Sequence, residues 1–168
     1  GFAYDSAAAS FELLALRELG RMPRFFDIER YRVMVERRHN ALGEIVTVSE
    51  AVVVVNIDGH RAMSVSESVD PVTKVDQGPV NALSRALAKD LGKYQKYIED
   101  VRLVDFKVRI MNGGTDAVTR VLIDSEDSQD RRWSTVGVSA NIVDASFAAL
   151  SDALTWKLIR DGAPVAGR

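Results

Sequence analysis

Residues 133–154, WSTVGVSANIVDASFAALSDAL, have a fainter copy of their second half at residues 77–91, QGPVNALSRALAKDL. Val80, Ala82, Ala86, Leu87 and Leu91 recur as Val143, Ala145, Ala149, Leu150 and Leu154, each 63 positions later. Upstream, Tyr31-Arg-Val-Met-Val35 is echoed by Phe106-Lys-Val-Arg-Ile110, and Ile57-Asp58 by Ile123-Asp124, at offsets of 75 and 66. Shrinking offsets are what loops of different length produce around duplicated elements. The longest insertion in the first copy is ESVDPVTKVD, residues 67–76. Two copies are too few for a solenoid, so a closed pseudo-symmetric domain is expected.

The elements follow from local periodicity. Residues 5–19 favour a helix, with Asp5 or Ser6 as cap, Ala and Leu inside and Gly20 at C′. Its apolar residues fall on more than one side, which fits either packing on this domain or docking against other sequence. Tyr31, Val33 and Val35 alternate with polar neighbours as in a half-buried strand. The run Val52-Val53-Val54-Val55 marks a strand buried on both faces, and Asp58-Gly59 a tight turn into a third strand at residues 61–66. Pro79 opens a helix whose stripe is Val80, Leu83, Leu87, Leu91, Tyr94 and Ile98. The second copy repeats this with strands near residues 103–111, 118–125 and 132–138. Asn112-Gly113-Gly114 and an acidic loop connect them, and a helix follows at residues 141–160. The expected fold class is α+β: two pseudo-symmetric βββα units, each sheet covered by its helix, behind a linker helix. The segments are 1–27 for the linker-region helix, 28–162 for the domain (28–100 and 101–162), and 163–168 for the tail.

Composition narrows the function classes. A formal charge of −2 leaves no basic surplus for nucleic acid. No apolar run of about 18 residues is present to span a membrane. The absence of cysteine removes disulfides and thiolate chemistry and is compatible with a cytoplasmic location. The chain opens at Gly1 without a signal-peptide pattern and reads as a piece excised from a longer polypeptide.

No catalytic or metal constellation emerges. His39 and His60 form no ligand pair and read as solvated loop residues. Asp124, Glu126, Asp127 and Asp130 lack the ligand order of a calcium loop and read as a solvated hairpin. The two helix starts are more informative, because Gln77-Gly78 and residues 138–141 place small or amide side chains where unpaired backbone N–H groups converge. Such a terminus holds a carboxylate, or is simply capped. The alanine pairs Ala82/Ala86 and Ala145/Ala149 permit close helix approach, between the two helices of one chain or across a two-fold dimer.

SAAASFELL (6–14), QGPVNAL (77–83), VDFKVRI (104–110), GTDAVTRVLIDS (114–125) and WSTVGVSANIVDAS (133–146) together resemble the C-terminal region of citramalate synthases. The sibling family, 2-isopropylmalate synthase, shares this dimerising regulatory domain. The tryptophan before STVGVS and the SFELL segment lean toward the citramalate type. The resemblance implies an absent N-terminal TIM barrel that condenses acetyl-CoA with a 2-oxo acid using a divalent metal, with no cofactor or catalytic residue in this piece. It also implies a homodimer that works on its own catalytic domain and binds an end-product amino acid: isoleucine, or leucine for the sibling family. The implied effector residues are Gly78, Pro79, Val80 and Asn81. Through the internal repeat they extend to Gly137, Val138, Ser139, Asn141 and Ile142. The family's short Gly-Asn-Gly-Pro turn is here Asp76-Gln77-Gly78-Pro79, which favours the second terminus as the binding one and leaves open a structural dimerisation module without an effector.

Overall fold

The computed structural model describes residues 7–111 and 117–167. Helix α1 (Ala8–Glu18) precedes strands β1 (Asp27–His39), β2 (Ile45–Ile57) and β3 (His60–Glu67) and helix α2 (Pro79–Lys89). A 3₁₀ turn (Gly92–Tyr94) and the short α3 (Gln95–Ile98) lead to β4 (Arg102–Met111), β5 (Val118–Glu126), β6 (Arg132–Ser139) and α4 (Ile142–Arg160). The chain divides into two compact units, one holding β1–β3 and α2, the other α1, β4–β6 and α4. Each contains a three-stranded antiparallel sheet in sequential order, β1-β2-β3 and β4-β5-β6. The α+β reading with two βββα repeats therefore holds.

The duplication is visible in the hydrogen-bond register. β1 carries a bulge between Ile28 and Arg30, and β4 between Leu103 and Asp105. Counting from the bulges, Tyr31 stands opposite Val53 and Phe106 opposite Ile123, so the first strands align as their sequences do. The helices also align: the residues preceding them, Gly78 and Asn141, are 63 apart. The middle strands correct the Ile57/Ile123 pairing. Ile57 ends β2, whereas Ile123 lies inside β5 and corresponds to Val53. A two-residue Ile-Asp match carried too little information to fix register.

β2 is central, and Val52, Val53, Val54 and Val55 are all buried. α2 lies mainly over β2 and β3 and buries Ala82, Leu83, Ala86 and Leu87. The stripe expected to run on to Ile98 does not continue as one helix. Lys89 is the last α-helical residue, and Gly92 at φ +53° starts a new turn, although Leu91, Tyr94 and Ile98 remain buried. Lys93 there pairs with Asp58 in the β2–β3 turn. His39 and His60 occupy strand ends rather than loops.

The second sheet is joined to α4 by a repeating contact. The Trp133 indole N–H donates to the Ala153 carbonyl at 3.1 Å, and the Thr135 hydroxyl to the Ala149 carbonyl at 2.7 Å. The next position, Gly137, lies under Ala145, where a Cβ would stand 1.9 Å from the carbonyl oxygen. Two strand residues rise ~6.6 Å and four helix residues ~6 Å, so alternate β6 residues meet every fourth α4 residue. The Ala145/Ala149 pair is thus occupied by the chain's own β6. Neither a partner helix nor a second copy is needed to explain it.

α1 belongs to the core of this unit, through Ala9, Ser10 and Leu13. Ser10 Oγ accepts the buried Val136 N–H at 2.8 Å and so covers the open edge of β6. Glu12 accepts from Trp156 Nε1 at 2.9 Å and from Arg160 at 2.7 Å, while Arg17 pairs with Asp152. Trp133 and Trp156 stack at 5.0 Å. Gly20 takes φ +64° in a Schellman ending, with Arg21 N–H on the Leu16 carbonyl and Gly20 N–H on the Arg17 carbonyl. The expected caps Asp5 and Ser6, and the Asn112-Gly113-Gly114 connection, lie outside the described residues.

The acidic β5–β6 connection is solvated at Asp130, as expected, but not at Asp127. Asp127 is 1% exposed and Lys157, which emerges from the buried face of α4, is 2% exposed. Lys157 Nζ lies 2.9 Å from Asp127, 2.8 Å from Asp161 and 3.5 Å from Asp100. Arg131 bridges Asp127 and Asp161 at 2.6 and 2.7 Å. Asp127 also accepts the backbone N–H groups of Gln129 and Arg131, closing the turn.

Candidate effector site

Gly78 sits at φ +91° and ψ 170°, a conformation that an L side chain strains to adopt, and Pro79 follows as the first helical residue. The loop leading into it is built by Asp76. This carboxylate accepts from the Ser49 backbone at 3.1 Å and hydroxyl at 2.8 Å, and from the Ser68 hydroxyl. Burial alone would raise the Asp76 carboxyl, but the Ser68 and Ser49 hydroxyls and the Ser49 and Gly78 N–H groups outweigh it and hold the group below its ordinary value. Gln77 is engaged on the other side, accepting from Arg85 at 3.0 Å and donating to Asp70 at 3.3 Å. The Asp76-Gln77 departure is therefore an internal fastening of the loop.

What remains at the start of α2 is chemically open. No side chain caps the helix, and the first helical bond runs from Ala82 N–H to the Gly78 carbonyl. The N–H groups of Val80 and Asn81 have no side-chain acceptor from a cap, and this end carries the positive pole of the helix dipole. In the same turn, the buried Oδ1 of Asn81 has no hydrogen-bond partner. A buried acceptor left unmade costs about 1–3 kcal/mol, so its presence calls for a donor. Space beside Gly78 is open, with no atom within 4 Å of where a Cβ would project.

The start of α4 contrasts with this. Asn141 Oδ1 accepts from Val143 N–H at 2.8 Å and Asp144 N–H at 3.3 Å, and Ser139 Oγ accepts from Asn141 N–H at 3.1 Å. The terminus is satisfied by its own side chains. Gly137 is buried as the packing residue already described, while Val138 and Ser139 end β6, half-buried, and Ile142 is exposed. The nine sequence-read residues therefore fall into two groups, one around each helix start. The uncapped N–H groups of Val80 and Asn81 and the orphan acceptor of Asn81 belong to the first group, with Gly78 and Pro79. Asn141→Ala is expected to destabilise the chain by about 1 kcal/mol through loss of the cap, measured by urea denaturation.

The described residues contain no group of three or more His, Cys, Asp or Glu able to hold a metal. The divalent metal implied for a condensing domain has no holder among them.

A family model described as the LeuA allosteric (dimerisation) domain matches residues 5–158. The chain belongs to this family. It is 42% identical over 160 residues to an (R)-citramalate synthase of Geobacter sulfurreducens, covering 94% of the chain and 28% of that protein. With an (R)-citramalate synthase of Aquifex aeolicus it shares 38% over 163 residues, 96% of the chain and 29% of that protein. A probable 2-isopropylmalate synthase of Archaeoglobus fulgidus is 26% identical over 149 residues, covering 88% and 26%. The chain thus spans less than a third of the length of these curated relatives. Within a LeuA allosteric domain, the residues that sequence reasoning passed over are Ser10, which fastens α1 to β6, and Lys157. The second was detectable: Lys157 is seven residues after Leu150 and three after Leu154, a charge set into an apolar stripe.

Proposed function

We propose that this LeuA allosteric domain is the feedback-sensing and dimerising part of an acetyl-CoA-dependent citramalate synthase, and that it binds isoleucine at the start of α2. The observation that carries the proposal is the uncapped helix terminus with the partnerless Asn81 Oδ1 in its first turn. An α-amino acid supplies the matching groups. Its carboxylate accepts from the Val80 and Asn81 N–H groups, its ammonium donates to Asn81 Oδ1, and its aliphatic side chain lies against Val80. Burying that side chain contributes ~1.5–3 kcal/mol. Feedback then needs the bound and free states to differ in affinity, typically by about 1–3 kcal/mol of coupling.

On this reading the chain is part of a cytoplasmic enzyme whose linker region ends in residues 1–27, with α1 of that segment docked on β6 and α4. The condensing chemistry and its divalent metal belong to the rest of the polypeptide, and the 168 residues alone form no citramalate. Isoleucine is favoured over leucine by the citramalate synthases among the relatives at 38% and 42% identity. Calorimetric titration of the chain with isoleucine, leucine and valine tests this. Heat from isoleucine at the lowest concentration supports the proposal. Preference for leucine reassigns the domain to the 2-isopropylmalate type, and silence from all three leaves a structural dimerisation module.

A further inference from the structure

In the unit holding β1–β3 and α2, the sheet has a second face that carries a cavity. Ser64 stands opposite Val53 as Thr135 stands opposite Ile123, so α2 covers the side bearing Ala51, Val53 and Val55. On the other side the register sets Met34, Glu50 and Glu67 in one row, Arg32, Val52 and Val65 in the next, and Arg30, Val54 and Met63 in a third. Val52 and Val54 are buried, whereas Met63 is 60% and Val65 42% exposed. A cavity of about 300 Å³ opens here, lined by Arg30, Arg32, Glu50, Val52, Met63 and Val65. That size is the lower end of the range for small-molecule pockets. The charged side chains around it are not paired with one another. Glu50 stands directly opposite Glu67, an arrangement of like charges that weakens a ladder. Arg30 and Arg32 lie two residues apart on the same side of β1. Among the described residues no ion pair or side-chain hydrogen bond engages Arg30, Arg32, Glu50 or Glu67, whereas Arg61, next along β3, pairs with Glu29 at 2.8 Å.

We propose that this cavity is a second small-molecule site, for an apolar α-amino acid, on the opposite side of the sheet from the start of α2. The ligand carboxylate accepts from Arg30 and Arg32, its ammonium donates to Glu50, and its side chain lies on Val52, Val65 and Met63. Arg32 and Glu50 are diagonal neighbours on adjacent strands, a spacing of ~7–8 Å that lets two long side chains hold the two ends of one small zwitterion. The bound ammonium also relieves the repulsion between Glu50 and Glu67. The second sheet does not repeat the site. Lys107 and Leu122 stand where Arg32 and Val52 do, but Arg120 stands in place of Glu50 and offers an ammonium no acceptor. One such site per chain is expected.

Methyl NMR of the chain labelled at its four methionines tests the site, because Met63 lines it and Met111 lies on the second sheet. Titration with L-leucine is expected to shift the Met63 methyl signal saturably and leave that of Met111 in place. At equal concentration 4-methylpentanoate, which lacks the ammonium, and isopentylamine, which lacks the carboxylate, should shift neither. Glu50→Gln and Arg32→Gln should each raise the dissociation constant read from Met63 ~10-fold or more. Asn81→Ala should leave it unchanged, which separates this site from the start of α2. E50Q should also melt no lower than the wild type, since it ends the repulsion with Glu67. A Met63 signal that stays in place, or that answers both analogues as it answers leucine, overturns the site. So does a shift unaffected by E50Q and R32Q, or one abolished by N81A, which would report binding at the start of α2 instead.

Discussion

Gly137→Ala is expected to destabilise the unit built from β4–β6 and α4 by about 3 kcal/mol or more, lowering the melting temperature by roughly 6–12 °C. The added methyl meets backbone, with the Ala145 carbonyl oxygen at 1.9 Å and the Ala149 nitrogen at 3.1 Å, and a helix cannot yield at one residue as a flexible side chain can. Relief requires α4 to lift, which loosens the Trp133 and Thr135 bonds to the next two turns. Gly43→Ala is the control. Gly43 has open space but φ +79°, so only the conformational cost of about 1 kcal/mol applies. Thermal melts of the two variants separate close approach from backbone conformation. Equal, small losses would show that α4 does not rest on Gly137.

Asp127→Ala is expected to cost about 3 kcal/mol, because it leaves Lys157 buried with reduced compensation and removes the acceptor that closes the β5–β6 turn. Urea denaturation at neutral pH measures it. The same cluster sets a pH dependence. Burial opposes charge on Asp127, but Lys157 and Arg131 outweigh it and hold the carboxyl far below its ordinary value. Asp161 is lowered against burial by the same two cations. Carboxyls depressed in the folded state stabilise it above their unfolded pKa of about 3.9, and that contribution is lost as pH falls through the folded values. Lys157 is raised against burial by Asp161 and Asp127, so its share is complete below about pH 10.4 and lost as pH rises further. The wild type should therefore lose stability below about pH 4, more steeply than D127A. Parallel acid profiles would mean that the cluster contributes nothing to acid stability.

The sequence disclosed the repeat and the strand order because both are periodic properties. Alternation at Tyr31, Val33 and Val35 and the apolar run of β2 need only local patterning, and Pro79 and Asn141 mark their helix starts within one residue. The interruption at Gly92 escaped because Leu91, Tyr94 and Ile98 keep a helical rhythm across a break in the helix. Asp127 escaped because its counter-ion lies 30 residues away and composition alone made its loop look solvated. At the candidate site, sequence and resemblance pointed to two helix starts and weighted them by their turns. Hydrogen bonding reverses that weighting: Asn141 is consumed as a cap, and Asp76 and Gln77 as loop fastenings, while Asn81 has an acceptor left over.

Asn81 supplies the most direct test, because a residue kept for a ligand is a liability without one. Isoleucine titration of wild type, Asn81→Ala and Asn141→Ala by calorimetry, with melts of the free chains, reads both sides of that balance. Asn81→Ala is expected to leave the free chain as stable or more stable, since it removes a buried unpaired acceptor, and to weaken isoleucine binding ~10-fold or more. Asn141→Ala should lower stability and leave the affinity within about two-fold. The reverse pattern, with affinity lost in N141A and retained in N81A, would contradict placement of the effector at the start of α2.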